Sequence, residues 1–223
     1  MNGTFDSRIK TRVIIGVVTI FSIAIARAAD IATTLHFNPS LSREANPLSS
    51  VLGFDAAQLV VSNVIGVVIL LLAPLLIYVV RGPAKIEEKA NTLTEHISLQ
   101  LFRSKLEQNR VLCGVFLGWP LPKNWLQATR VVGFALSWTV VFASLQATFG
   151  WWAINQWGMD WYRDYRGIFN FRGYPVIELI PVLVVFYFLG YLHFRKEFKT
   201  DQLQSCEAEQ DGAGQPATRP ESK

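Results

Sequence analysis

The sequence predicts an all-α fold: a polytopic membrane bundle of four transmembrane helices with an added amphipathic helix on the cytoplasmic side. Composition is the first indication, because 51% of the 223 residues are hydrophobic and 17% are charged, whereas a soluble domain averages roughly 25% charged residues. Long apolar segments are the second, since a helix needs about 20 residues to cross a membrane core. Four segments reach that length, at about residues 13–35, 56–80, 131–151 and 174–193.

The start of the second span carries helix-capping signals. Asp55 is followed three residues later by Gln58, which is the spacing of a capping box. Just before it, Asn46 is a good N-cap and Pro47 suits a first helical position. We therefore expect residues 47–53 to form a short separate helix in the outer interface, followed by the second span.

The connection between the second and third spans is predicted to hold one amphipathic helix over residues 84–110, because its apolar residues recur at intervals of three to five. The apolar run at residues 111–119 is too short to span and is expected to lie in the membrane interface. In the fourth span, Pro181 is expected to kink the helix. Residues 1–200 thus form the membrane domain, and the polar residues 201–223 form a disordered cytoplasmic tail.

The distribution of basic residues predicts the orientation. Sixteen of the 21 Lys and Arg residues lie in the N-terminal segment, the connection between the second and third spans, and the tail, whereas the other two connections hold four. Basic connections stay in the cytoplasm, so both termini are predicted there, in a multi-pass protein of the inner (plasma) membrane. The aromatic residues at 151–173 fit the outer interface.

A cleavable signal peptide is the alternative for the first span. A basic start, an apolar stretch and the small residues Ala26 and Ala28 around Arg27 also describe such a peptide. Cleavage after residue 28 would leave Asp30 beside a new amino terminus. The chain would still be polytopic, and this favours a retained first helix as an anchor.

Polar groups from all four spans are predicted to share one layer in the outer half of the membrane. At 1.5 Å per helical residue, Arg27 lies about 21 Å and Asp30 about 25 Å from the inner edge. Ionisable residues at such depth usually face the bundle interior and have partners. The candidate polar cluster consists of Arg27, Asp30, Thr34, His36, Glu44, Asn46, Asn63, Gln146 and Glu178.

Helix geometry places Arg27, Asp30 and Thr34 along one stripe, since they are spaced at i,i+3 and i,i+4. In one interpretation, Arg27 neutralises Asp30 and the pair holds the helix against a neighbour. In another, Asp30 is a proton-handling or ligand-binding carboxylate. Exposure of both at the interface is the third.

The remaining carboxylates and the histidine have their own alternatives. His36 is expected to be an ordinary surface imidazole rather than a ligand. Glu44 either pairs in solvent or returns towards Asp30 and His36. Glu178 has no basic residue within its span, so it either snorkels, is protonated by desolvation, or reaches Arg27 across the bundle.

The spacing Asp30, Thr33, Thr34, followed by Glu44, Asn46 and Pro47, resembles small uncharacterised prokaryotic integral membrane proteins with an Asp-x-x-Thr-Thr helix and a Glu-x-Asn-Pro turn. The resemblance covers about residues 20–80. It implies a membrane setting and draws attention to Asp30, Glu44 and Asn46, but it implies no reaction.

Three functions remain open from sequence. A non-enzymatic subunit or scaffold is favoured; a transporter or channel component acting as an oligomer, and a membrane-embedded hydrolase or transferase using paired carboxylates, are the alternatives. Two cysteines without metal-ligand spacing predict no structural zinc site, and the sequence has no HExxH, P-loop or dinucleotide fingerprint, so no cofactor is expected. The expected partners are membrane lipids and a protein partner or second copy. Nucleic acid is not expected, because the basic residues flank apolar spans.

Overall fold

A computed structural model describes residues 2–40, 55–83, 88–168, 170–171 and 174–213. The described chain is helical apart from a two-residue antiparallel pairing of Asn170–Phe171 with Tyr174–Pro175. The α-helices are α1 Asn2–Phe37, α2 Ala56–Gly66, α3 Ala73–Val80, α4 Leu93–Phe102, α5 Gln108–Leu117, α6 Trp125–Asn155, α7 Asp160–Gly167 and α8 Leu179–Ala213. The predicted all-α class is confirmed.

Contacts divide the chain into two compact units. Unit 1 comprises Met1–Gly82 and Trp125–Gly190, and unit 2 comprises Pro83–Asn124 and Tyr191–Lys223. The long helix α8 contributes its first part to unit 1 and the rest to unit 2.

Among the described residues, three helices are long and apolar enough to cross a membrane: Ile9–Phe37 of α1, the whole of α6, and Leu179–Leu203 of α8. Their outer surfaces are apolar, as the exposed fractions of Phe21 (64%), Ile25 (68%) and Val184 (61%) show. Exposed apolar surface of this extent is unusual for a soluble protein. It fits helices that are surrounded by lipid.

The second predicted span, residues 56–80, is helical but not a uniform α-helix. The predicted capping box is confirmed, since Asp55 accepts from the N–H of Gln58 at 2.8 Å and the Gln58 side chain accepts from the N–H of Asp55 at 3.1 Å. A π-helix at Val67–Leu72 separates α2 from α3. Backbone angles stay helical at its ends, with φ −60° and ψ −47° at Val67.

Pro74 at the start of α3 explains the π-helix. A proline has no N–H to donate, and its ring collides with the carbonyl group four residues earlier, which here belongs to Leu70. Leu70 lies within the π-helix Val67–Leu72, whose wider turn relieves the conflict.

Unit 1 is built around α1, α3 and α6, which pack against one another. Close approach depends on glycine: a Cβ on Gly133 of α6 would lie 2.6 Å from the Pro74 backbone, and one on Gly16 of α1 would lie 2.5 Å from a methyl carbon of Val79. Small residues at helix contacts are typical of membrane bundles. The fully buried small residues of α6 include Ala135, Ser137, Ser144 and Ala153.

Buried hydroxyl groups in these helices bond to their own backbone. Thr19 donates to the carbonyl of Ile15, Ser137 to that of Gly133, and Thr139 to that of Ala135, each at 2.7 Å. A hydroxyl in an apolar setting must be hydrogen-bonded to avoid a desolvation penalty. These polar residues are therefore compatible with a membrane-embedded core.

Unit 2 corrects the prediction of one amphipathic helix over residues 84–110. The described part has two helices, α4 and α5, because the chain turns at Arg103, whose φ is 54°. The Ser98 hydroxyl stabilises this turn by donating to the carbonyl of Ser104 and accepting from the N–H of Leu106 at 2.8 Å. α5 then ends at Gly118, with φ 71°, just before Pro120 and Pro122.

α8 also differs from its predicted course. It begins at Leu179, so Pro181 lies in the first turn, where a missing N–H costs nothing, and the helix continues without a break. At its other end α8 extends to Ala213, beyond residue 201 where disorder is predicted. Leu, Gln, Glu and Ala in this stretch favour helix, and an established helix extends without a new nucleation cost.

Candidate functional site

The polar network in unit 1 is centred on Arg27 of α1. Its Nη1 donates to Asp30 Oδ2 at 2.7 Å and to Ser144 Oγ at 3.2 Å, and its Nη2 donates to Asn63 Oδ1. The side chains of Arg27 and Asp30 are 22% and 15% exposed. One guanidinium group thus joins α1, α2 and α6, and we call these four residues the Arg27 network.

The local part of this network follows from helix geometry. Arg27 and Asp30 are one turn apart on α1, so their side chains reach each other without any tertiary arrangement. Thr34 lies on the same side of the helix, one turn after Asp30, and is only 6% exposed. The observed ion pair agrees with the interpretation in which Arg27 neutralises Asp30 and holds α1 against its neighbours.

The long-range part depends on which faces of α2 and α6 turn towards α1. Asn63 was predicted at this depth, whereas Ser144 was not singled out, because a lone serine in an apolar helix carries no distinctive signal. Ser144 is fully buried, and its carbonyl accepts from the hydroxyl of Thr148 at 2.9 Å. It serves as a small acceptor at the point where α6 meets α1.

The arrangement has a clear chemical consequence. The Arg27 guanidinium contacts an anion and two neutral acceptors, and the Asp30 carboxylate lies against that cation. Through these contacts the described part of the network connects three helices.

Glu178 belongs to a separate network. It lies just before α8, and its Oε1 is 3.0 Å from Arg166 Nε and accepts from the Tyr162 hydroxyl at 3.0 Å. Both charged partners are largely buried, at 23% and 17% exposed. The Glu178 side chain pairs with Arg166 of α7, so pairing with Arg27 across the bundle is not what the structure shows.

Tyr162 ties this second network to α6. Its ring packs edge-on against Phe149 with centroids 5.6 Å apart, and a Cβ at Gly150 would lie 3.1 Å from it. Burial, together with the neighbouring Glu178 carboxylate, raises the pKa of Tyr162 well above its usual range. The hydroxyl is therefore a stable hydrogen-bond donor at neutral pH.

The other predicted site residues are not brought into the Arg27 network by any described contact. Gln146 donates to the backbone carbonyl of Glu178 at 3.4 Å. His36 is exposed, and its ring contacts Phe37 at 4.7 Å, which fits the ordinary surface histidine that was expected. Glu44 and Asn46 lie outside the described residues, as does the short helix predicted at 47–53.

Unit 2 holds a polar group that the sequence analysis missed. His96 of α4 is 1% exposed, and its Nδ1 lies 3.6 Å from Asp201 Oδ2 of α8. One turn earlier on α8, His193 Nε2 lies 3.1 Å from Glu197 Oε1. Burial lowers the pKa of His96, and the Asp201 and Glu197 carboxylates oppose that shift.

This group was missed because α4 buries polar side chains as well as apolar ones such as Leu99 and Phe102. Ser98 and Gln100 are fully buried alongside His96, whereas periodicity arguments follow apolar residues. The Gln202 side chain also donates to the carbonyl of Ala90 at 3.2 Å. The cytoplasm-facing amphipathic helix that was predicted is thus a helix packed through polar contacts against α8.

None of the described residues in the Arg27 network, the Glu178 network or the His96 group forms a metal site. Among the residues that the structure describes, no three His, Cys, Asp or Glu side chains are grouped to hold a metal ion.

No protein family, curated protein or solved structure matches the chain. The resemblance noted around Asp30 and Glu44 therefore stands on those short motifs alone, and function must be argued from the geometry.

Proposed function

We propose that the protein is a four-span integral protein of the inner (plasma) membrane that acts as a non-enzymatic subunit or scaffold. The observation that supports this proposal is the set of hydrogen bonds in the Arg27 network. Among the described residues, Arg27 bonds to Asp30 on its own helix and to Ser144 and Asn63 on two other helices, so its donors are used to hold the helices together.

Residues 56–80 supply the fourth span in this proposal. The helical conformation continues through the π-helix, with φ −64° and ψ −50° at Ala73, and the segment contains no Asp, Glu, Lys or Arg. A helix of that length is roughly 37 Å long at 1.5 Å per residue. That length is sufficient to cross a core of about 30 Å.

Orientation in this proposal follows from the basic residues. The N-terminal segment, the connection at residues 81–130 and the chain after residue 193 are assigned to the cytoplasm, because they carry sixteen of the 21 Lys and Arg residues. α7 then lies on the outer side with Trp161, which is 63% exposed, at the level where aromatic residues are enriched.

The partner-binding surface of the scaffold is assigned to α8. Ile180, Val184 and Phe188 repeat every four residues and are 56%, 61% and 56% exposed. A stripe at this spacing lies along one face of the helix. It presents a continuous apolar strip to another membrane helix, from a partner or from a second copy.

Photo-crosslinking tests the proposal. A benzophenone amino acid at Val184 should give one discrete adduct in native membranes, whereas the same residue in place of Ile25, the exposed α1 control at 68%, should react only with lipid. If no adduct forms at Val184 and the purified protein mediates solute flux in proteoliposomes, the transporter alternative is favoured. Turnover of a lipid that is abolished by Asp30→Asn would favour the enzyme.

A further inference from the structure

α5 in unit 2 has two apolar faces that differ in exposure. Val111 is 2% exposed, and Gly114 lies so close to Phe102 that a Cβ would be 2.4 Å from the ring. The opposite face carries Leu112 and Phe116, one turn apart and 44% and 50% exposed.

The exposed apolar face continues beyond the end of the helix. Leu117 is 79% exposed, Trp119 is 73% exposed and Leu121 is 55% exposed. We call Leu112, Phe116, Leu117, Trp119 and Leu121 the α5 surface. A clustered apolar surface of this kind marks an interaction site.

Cations border the α5 surface. Arg103, Arg110 and Lys123 are exposed, and none of them has an ion-pair partner among the residues that the structure describes. Lys105 differs, because it lies 3.7 Å from Glu88. Glu107, the N-cap of α5, is the one carboxylate between Arg103 and Lys123, so the charge of this stretch is positive on balance.

Chain continuity places this segment at a membrane. Lys123 and Asn124 directly precede α6, which begins at Trp125 and is long and apolar enough to cross a membrane. Asn124 is also fixed to α4, since its N–H donates to the carbonyl of Leu101 at 2.9 Å. If α6 crosses the bilayer, the residues just before it lie at the bilayer surface, because its 31 residues are about 46 Å long, close to the roughly 40–45 Å of a bilayer with its headgroups.

We propose that the α5 surface, together with Arg110 and Lys123, binds anionic phospholipids of the leaflet in which α6 begins. The proposal rests on the membrane-spanning role assigned to α6. Apolar and tryptophan side chains insert at the boundary between headgroups and acyl chains. Lys and Arg next to them attract anionic headgroups, with each cation strengthening the association about fivefold.

The two cysteines provide label sites for testing the proposed contact between the α5 surface and lipid. Cys113 is exposed between Leu112 and Phe116 on the α5 surface, and Cys206 is exposed on α8. Cys206→Ser leaves a single label site at Cys113, and Cys113→Ser leaves the matched site at Cys206. The full-length variants are spin-labelled in nanodiscs of phosphatidylcholine containing phosphatidylglycerol.

The label at Cys113 should be relaxed more by oxygen than by a water-soluble nickel chelate, whereas the label at Cys206 should show the reverse. Equal access of nickel to both labels would overturn the proposal. A label at Cys113 that is shielded from both reagents would indicate a protein on this surface and would also overturn it.

Charge preference is tested by counting lipids that remain bound to the purified protein. In mixed bilayers, Arg110→Gln with Lys123→Gln should lower the retained ratio of phosphatidylglycerol to phosphatidylcholine by about fivefold for each cation. Arg163→Gln is the control, because Arg163 is 62% exposed and already lies 3.3 Å from Asp160. An unchanged ratio in the double variant would refute the anionic preference. Both leaflets of a nanodisc are accessible, so these results do not depend on the orientation proposed above.

Discussion

Gly133 of α6 lies directly against Pro74 of α3. A Cβ built on Gly133 would be 2.6 Å from the carbonyl carbon, the carbonyl oxygen and the Cβ of Pro74. Real side chains do not approach backbone atoms so closely, so the two helices meet here only because residue 133 has no side chain. The contact also fixes α3 just after the π-helix Val67–Leu72.

Gly133→Ala should therefore destabilise unit 1 by about 1–3 kcal/mol through overpacking, even though alanine favours helix. Thermal unfolding in detergent measures the loss. Gly190→Ala on α8 is the matched control, because nothing lies within 4 Å of its Cβ position, and it should be neutral or slightly stabilising. Equal stability of both variants would show that α3 and α6 do not pack as described.

The Arg27 network predicts strong coupling between two substitutions. Asp30→Asn removes the anion 2.7 Å from Arg27 and should lower the stability by on the order of 2 kcal/mol, because it leaves a partly buried cation unpaired. Arg27→Leu combined with Asp30→Leu should recover most of that loss.

Complementation in the native host separates structure from function for the same variants. If the network only holds helices together, the stable double variant should complement fully. A double variant that folds normally but fails to complement would mean that Asp30 has a functional role, and the scaffold interpretation of this network would then be wrong.

Tyr162→Phe tests the second network. It removes the hydrogen bond to Glu178 Oε1 at 3.0 Å but keeps the ring contact with Phe149, so the expected cost is about 1.5–3 kcal/mol for a bond to a charged acceptor. Tyr165→Phe loses only a 3.4 Å contact with the carbonyl of Ile177 and should cost less. The order of the two melting temperatures is the measurement, and a reversed order would contradict the assigned contacts.

His96 makes unit 2 sensitive to acid. Its pKa in the folded protein lies below the ordinary value of 6.5 because of burial, so the unfolded chain binds more protons in the interval between the two values. The contribution of neutral His96 to the free energy of unfolding is complete above pH 6.5. It is lost as the pH falls through the folded-state pKa. The protection of α4 against hydrogen exchange, measured relative to the intrinsic exchange rate at each pH, should therefore decrease as the pH falls below 6.5.

Two variants control the pH experiment. His96→Gln should flatten the pH dependence in α4, whereas His36→Gln should leave it unchanged because His36 is exposed in unit 1. A pH dependence that survives in His96→Gln would assign the effect to another group, such as the neighbouring Asp201.

Reporter fusions test the topology. Fusions at Glu95 and Ser205 should report the cytoplasm and one at Gly158 the outside, because of the distribution of basic residues. A fusion at Gly82 that reports the same side as one at Phe37 would show that residues 56–80 do not cross.

Mass spectrometry of the purified chain tests whether the first helix is retained. It should find Ala28 still attached, since a start at Ala29 would establish the cleaved signal peptide.

Local spacing allowed part of the structure to be predicted. The Arg27 and Asp30 pair and the Asp55 capping box each connect residues within one helical turn, so the sequence alone places their atoms close together. Ser144 and Arg166 were not anticipated, because their partners Arg27 and Glu178 come from other helices. Spacing along one helix does not say which of its faces meets a neighbour.

The break between α4 and α5 was missed for a different reason. Arg103 adopts a left-handed conformation, which glycine or asparagine would have indicated and arginine does not. The Ser98 hydroxyl makes this turn possible through contacts with Ser104 and Leu106. Those contacts form only once the chain has already turned, so no local pattern predicts them.

The π-helix Val67–Leu72 has a practical consequence for probing this protein. A π-helix holds an extra residue compared with an α-helix of the same length, so a helical wheel with uniform steps of about 100° loses its phase there. Cysteine or crosslinker positions that are aligned on α2 will point about 100° away from the same nominal side on α3. In a scan of this span, helix faces should therefore be assigned separately for α2 and for α3, which begins at Ala73.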